Sequence, residues 1–119
     1  MEFDRLLNSQ EKKEVITRLK SLNFGALKIN GHYNNKYGQP RHGISTEKAK
    51  EIFMQFDKIY TISTRPGIGG KRYTIIYRLN KNKSYFILLL LDENPVQLFD
   101  AYFYNGDIEK RMLRKYAGV

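Results

Sequence analysis

Both histidines of the chain, His32 and His42, lie in one stretch that is rich in glycine and asparagine. Residues 30–43 read NGHYNNKYGQPRHG, which is typical of a loop and lacks the apolar periodicity of a packed element. Imidazole titrates near neutral pH, so two histidines in a basic loop have the chemistry of a general acid and base for phosphodiester cleavage. The alternative is that each histidine is a structural hydrogen-bonding group. A metal site is disfavoured because neither histidine has a carboxylate at ligand spacing.

A second candidate is the segment RPGIGGK, which runs from Arg65 to Lys71. Glycine backbone approaches an anion closely, so three glycines between two basic residues invite a phosphate-binding interpretation. The spacing is not that of a Walker loop, because Lys71 is followed by Arg72 and a strand rather than by Ser or Thr and a helix. A flexible hairpin connection is the preferred interpretation, with basic ends that can still touch a backbone phosphate.

Three strand-like runs between residues 71 and 104 must position these candidates. They read KRYTIIYRL, SYFILLLL and VQLFDAYFY, and the polar turns NKNK and DENP separate them, which predicts an antiparallel meander. The middle run has no charged residue from Tyr85 to Leu91, so it is expected to be a central strand that is buried on both faces.

The outer two runs alternate between a face that packs on helices and an open face. In the first run the open face carries Arg72, Thr74, Ile76 and Arg78. In the last run, the alternation puts Phe99, Ala101 and Phe103 on one face and Leu98, Asp100, Tyr102 and Tyr104 on the other.

Helix signals flank the strands. Asn8 and Glu11 have the spacing of a capping box, Ser45 is a good N-cap for a second helix, and Asp107 caps a short terminal helix. In that terminal helix Ile108, Met112 and Leu113 are expected to face inward, and Lys110, Arg111, Arg114 and Lys115 outward. Residues 58–64 are a further strand, and residues 26–29 are a candidate short one. The predicted fold is α+β, a single domain over residues 1–119 with two N-terminal helices packed on a four-stranded, mainly antiparallel sheet and a short C-terminal helix.

The charge of the chain points to a polyanionic partner. Lys and Arg number 21 against 12 Asp and Glu, which gives a formal net charge of +9. So large a surplus on a small domain favours nucleic acid first and an anionic membrane second, with solubility alone as the bland alternative. The chain has no cysteine, which excludes disulfides, thiolate zinc sites and a cysteine nucleophile. The sequence shows no signal peptide and no membrane-spanning run, so a cytoplasmic location is expected.

Three separated pieces of the sequence together resemble the BrnT branch of the RelE/ParE toxin superfamily. The first is Arg41-His42-Gly43-Ile44-Ser45, followed by Ala49 and Phe53, and the second is Gly70-Lys71-Arg72-Tyr73. The third is Phe99-Asp100-Ala101, followed by Glu109-Lys110-Arg111 and Tyr116. The resemblance covers roughly residues 40–117. Tyr102 stands where that family usually has arginine, residues 30–40 do not follow its pattern, and colicin-type toxins with the same barnase-like fold are a neighbouring alternative.

The resemblance implies a metal-independent ribonuclease that inhibits translation and is neutralised by a separate antitoxin protein. In such a reaction the ribose 2′-hydroxyl attacks the adjacent phosphorus, which needs a base, an acid and stabilisation of negative charge. The expected partners are messenger or transfer RNA, also on the ribosome, and no membrane; no cofactor and no metal are expected. The catalytic candidates are His42, His32, Arg72, Arg78 and Tyr102. The RNA-binding candidates are Arg41, Arg65, Lys71, Tyr104, Arg111 and Arg114.

Two other functions fit the same residues. A non-catalytic nucleic-acid-binding module would use the same basic and aromatic sheet face without cutting the bound strand. An interaction protein would use its charge to match an acidic protein partner. Cleavage of RNA without a metal ion separates the first reading from the second, and salt-sensitive affinity for RNA separates both from the third.

Overall fold

A computed structural model describes residues 5–30, 43–66 and 71–116 of the chain. Three helices are α1 (Ser9–Ser21), α2 (Thr46–Phe53) and α3 (Ile108–Tyr116). Six strands are β1 (Arg5–Leu6), β2 (Lys28–Ile29), β3 (Ile59–Arg65), β4 (Arg72–Asn80), β5 (Lys83–Leu90) and β6 (Gln97–Asn105). They form one sheet in the order β1-β3-β4-β5-β6-β2, in which β2 pairs parallel to β6 and the other pairs are antiparallel.

The predicted α+β class is confirmed, and the predicted number of four strands is wrong. The four expected strands are β3 to β6, and the two additional ones, β1 and β2, pair at opposite edges of the sheet. Each additional strand has only two residues, which is too short to show an alternating pattern in the sequence. Very short edge strands are a common way to limit the exposed hydrogen-bonding edge of a sheet.

Local capping sets the start of α1 and α2 as expected. The Asn8 side chain accepts a hydrogen bond from the Glu11 backbone N–H at 2.9 Å, and the Glu11 side chain accepts one from the Asn8 backbone N–H. Ser45 Oγ accepts from the Lys48 backbone N–H at 3.1 Å. Both helices then place apolar side chains against the sheet, including Val15 and Leu19 of α1.

The main core lies between one face of the sheet and helices α1 and α2. The alternation predicted for β4 is confirmed, since Tyr73, Ile75 and Tyr77 are in this core while Ile76 packs on the other face. The core members from the helices and the neighbouring strands are Val15, Leu19, Ala49, Ile52, Phe53, Ile62, Ile87, Leu89, Leu98 and Ala101. The opposite face of the sheet is therefore free to carry polar groups.

A bulge in β6 overturns one predicted alternation. Leu88 of β5 pairs with Asp100, whereas the next residue, Leu89, pairs with Leu98, so Phe99 is an extra residue in the ladder. An extra residue exchanges the faces of the side chains that precede it. Leu98 therefore lies in the main core, although strict alternation put it on the open face.

Helix α3 covers part of the second sheet face. Its buried side chains are Ile108 and Met112, which pack with Ile76 and Phe86 in a small separate cluster. The inward position expected for Leu113 is wrong, because this side chain is 58% exposed. The outward position expected for Arg111 is also wrong, since its guanidinium lies against aromatic rings of the sheet. In the described residues no helix is both long and apolar enough to cross a membrane.

Candidate nucleic-acid interface

A cavity of about 210 Å³ lies between the second face of the sheet and α3. Strands β3 to β6 form its floor and α3 forms one wall. The described side chains around it combine four cationic residues with hydroxyl and aromatic groups. They are Ser63, Arg65, Arg72, Thr74, Ile76, Phe86, Leu88, Tyr102, Arg111, Met112 and Lys115. This set contains the sequence-predicted Arg65, Arg72, Tyr102 and Arg111, which come from three strands and one helix.

Strand register brings the first two arginines together. Arg65 is the last residue of β3 and Arg72 is the first residue of β4, and the two are directly paired across the ladder. Like charges at directly opposite positions destabilise a sheet. An anion that binds between the two guanidinium groups would offset this repulsion, so the pair is suited to phosphate.

Arg72 is held in a partly desolvated position. Its guanidinium carbon lies 4.5 Å from the centre of the Phe99 ring, within the range of a cation–π contact. Its Nε atom is buried and has no hydrogen-bond partner among the described residues. A buried donor without a partner costs free energy, which an incoming oxygen acceptor would recover.

Arg111 reaches the cavity from α3 and is fixed between two rings. Its guanidinium carbon lies 4.9 Å from the centre of the Phe86 ring and 4.7 Å from that of Tyr104. Tyr104, an RNA-binding candidate, therefore supports Arg111 in this structure. A guanidinium that is flanked by rings in this way keeps its planar fork oriented, and that fork matches two oxygens of a phosphate group.

Tyr102 stacks on Phe86, with ring centres 4.9 Å apart and an interplanar angle of 21°. The residue is half-buried, and its backbone forms an antiparallel bridge with Gly43. A tyrosine in such a position has a phenol that can donate or accept a proton near a bound phosphate. Asp100 lies on the same face of β6, buried, and its carboxylate accepts a hydrogen bond from the Ala101 backbone N–H at 2.9 Å.

Two of the predicted basic residues lie away from the cavity although their elements reach it. Arg78 shares the cavity face of β4 but lies six residues beyond Arg72, roughly 20 Å along an extended strand. It forms ion pairs with Asp107 and Glu109 at the start of α3. Arg114 is an exposed residue of α3 and does not line the cavity.

Lys71 belongs to the opposite side of the sheet. Its ammonium lies 5.3 Å from the centre of the Tyr73 ring. Both residues line a second cavity of about 220 Å³ beside α1, together with Glu11, Glu14 and Arg18. The mixed charges of this cavity make it less suited to a polyanion than the cavity under α3.

The remaining predicted residues, His32, His42 and Arg41, lie outside the described residues. The central part of the glycine-rich segment, residues 67–70, also lies outside them. In the three described segments of the chain, no group of three or more His, Cys, Asp or Glu side chains is arranged to hold a metal ion.

Sequence reasoning missed three polar residues that line the cavity. Lys115 follows Arg111 by four residues, so the helical repeat was a signal that both side chains share one face of α3. Ser63 and Thr74 are paired across β3 and β4, and both offer hydroxyl groups. No signal in the sequence marks these two, because their meeting depends on the register of strands that are distant along the chain.

The assembled site has the chemistry of an anion receptor. Three arginines and one lysine supply positive charge and directed N–H donors, and Ser63, Thr74 and Tyr102 supply neutral hydroxyl donors. Comparisons of the chain with protein-family models, curated proteins and solved structures found no match.

Proposed function

We propose that the chain is a small endoribonuclease that binds a phosphate of RNA in the cavity under α3 and cuts the strand without a metal ion. One observation carries this proposal: Arg65, Arg72, Arg111 and Lys115 line the same small cavity on the sheet face that the core does not use. The net charge of +9 supports a polyanionic ligand.

In the proposed reaction, the ribose 2′-hydroxyl attacks the adjacent phosphorus and the 5′-oxygen of the next nucleotide leaves. The phosphorus gains negative charge in the transition state, and the guanidinium groups of Arg72 and Arg111 are suited to stabilise it. Attack also requires that one group accepts the 2′-hydroxyl proton and another protonates the leaving oxygen. Tyr102 is the candidate for one transfer at the cavity, and His42 is the sequence-based candidate for the other.

The experiment is incubation of the purified protein with transfer RNA and with messenger RNA in EDTA, with and without ribosomes. We expect cleavage by the wild type and a loss of at least about tenfold in rate for Arg72→Gln, because one charge-stabilising group typically contributes that much or more. Tyr102→Phe and His42→Ala test the two proton transfers separately. Lys20→Gln removes the same charge from an exposed position on α1 and should cut like the wild type.

Equal cleavage by the wild type and by Arg72→Gln would contradict the proposed site. A second function is favoured by one feature of the cavity, since its described lining offers more anion-binding groups than proton-transfer groups. Under that alternative the chain binds RNA and leaves it intact. Salt-sensitive binding by the wild type with no new RNA fragments would select it.

The proposal has a cellular side that follows from the resemblance to the BrnT branch. The activity would inhibit translation in the cytoplasm, and a separate antitoxin protein would neutralise it. Induced expression of the wild type in a bacterial host is expected to arrest protein synthesis, and Arg72→Gln is expected to relieve the arrest. Continued synthesis with wild-type protein present would argue against a toxin.

A further inference from the structure

Arg78 joins the sheet to the first turn of α3. Its Nη2 atom lies 3.7 Å from Asp107 Oδ1, and its Nη1 atom lies 3.7 Å from Glu109 Oε2. The guanidinium carbon also lies 5.6 Å from the centre of the Tyr60 ring on β3. Arg78 and Asp107 are both partly buried, with side chains 27% and 15% exposed, so solvent screens this pair less than a surface pair.

Asp107 contributes to both ends of this connection. Its Oδ1 atom accepts hydrogen bonds from the backbone N–H groups of Glu109 at 3.0 Å and of Lys110 at 3.4 Å. These bonds satisfy free donors at the start of the helix, where a negative charge is also favoured. The carboxylate that caps α3 is therefore the same group that pairs with Arg78.

Helix α3 needs such an attachment. It has nine residues, which is too short for a stable helix on its own. Ile108 and Met112 are its buried side chains, and apolar burial has no preferred direction. The ion pairs with Arg78 add a directional constraint at one end of the helix, and Arg111 and Lys115 line the cavity further along it.

We propose that Arg78 is a positioning residue, which orients α3 so that Arg111 and Lys115 meet the bound phosphate. This inference rests on the proposed function, because it assigns RNA as the ligand of the cavity. It replaces the expectation that Arg78 contacts the phosphate itself. The 2′-O-methyl RNA oligonucleotide used as a probe cannot be cut by attack of a 2′-hydroxyl, so binding is measured without cleavage.

The first measurement is a double-mutant cycle for affinity, with Arg78→Gln, Arg111→Gln and the double variant. Each single change should weaken binding by about fivefold, which is a moderate loss on the affinity scale. If Arg78 acts through α3, the double variant should bind about as well as Arg111→Gln alone, because one substitution already removes what the other supports. Losses that multiply would overturn the positioning role.

The second measurement is hydrogen exchange of the backbone amides of α3 in the protein without RNA. Arg78→Gln should speed exchange several-fold, and Arg78→Lys should restore part of the protection because it keeps a positive charge next to Asp107. Lys81→Gln removes an exposed charge from the adjacent turn and should leave exchange unchanged. Unchanged exchange in Arg78→Gln, with RNA binding intact in the wild type, would overturn this inference alone. Absence of RNA binding by the wild type would overturn the proposed function and, with it, the role assigned to Arg78.

Discussion

The carboxylate of Glu11 shows how strongly a few neighbours can set the property of one residue. It accepts two hydrogen bonds from the Arg5 guanidinium, both 2.9 Å long, and one from the Asn8 backbone N–H at 3.1 Å. These bonds favour the charged form, with the Arg5 contribution the largest, and they lower the pKa of Glu11 from 4.5 to about 2. The side chain thus links β1 to the first turn of α1.

This pKa shift predicts a pH-dependent contribution to stability. Because the pKa of Glu11 is lower in the folded protein, the contribution is fully present above about pH 4.5 and is lost as the pH falls towards about 2. Urea unfolding of the wild type and of Glu11→Gln should therefore differ at pH 7, and the difference should narrow across that range. Glu14→Gln is the matched control on the same helix, where the carboxylate accepts one hydrogen bond from Gln10. A gap between wild type and Glu11→Gln that does not change with pH would contradict the prediction.

At the scale of the element, helix starts were predictable because their signals are local. Asn8 with Glu11, Ser45 and Asp107 each act within one turn of their own helix, so a short window of sequence contains the whole interaction. The alternation of β4 was predictable for the same reason. The bulge at Phe99 and the pairing of β1 and β2 depend on partners far along the chain, and the sequence pattern does not contain them.

The cap of α2 gives a direct test of this local reasoning. Ser45→Ala removes the oxygen that accepts the Lys48 N–H bond, so the free energy of unfolding should fall by about 1 kcal/mol. Thr46→Ala changes the next residue, which is exposed and lies inside the helix, and should alter stability by less than about 0.5 kcal/mol. Chemical denaturation of both variants beside the wild type measures these differences. Equal losses in the two variants would show that the cap is not the relevant interaction.

The candidate site was only partly predictable, and the arginines of β4 show why. Arg72 and Arg78 share one face of the strand, and alternation alone cannot tell them apart. Their roles are separated by what lies above the sheet, since Arg72 lines the cavity and Arg78 pairs with Asp107 and Glu109. The position of α3 over the sheet is a tertiary property, and the sequence contained no direct signal for it.

At the scale of the whole molecule, the two faces of the sheet divide stability from binding. One face carries the main core with α1 and α2, and the other carries the small cluster around Ile108 and the cationic cavity. This separation lets substitutions at the cavity be made without opening the main core. Differences in RNA affinity between such variants can therefore be assigned to the site once their folding is checked.

The most direct test of the account is the salt dependence of RNA affinity. The dissociation constant of a single-stranded 2′-O-methyl oligonucleotide would be measured over a range of salt concentrations for the wild type, Arg72→Gln and Lys20→Gln. The account predicts that Arg72→Gln weakens binding and lowers the slope of log affinity against log salt by about one, because one phosphate contact is lost. Lys20→Gln should keep the wild-type slope. Identical slopes and affinities for Arg72→Gln and Lys20→Gln would contradict the claim that the cavity under α3 binds RNA phosphate.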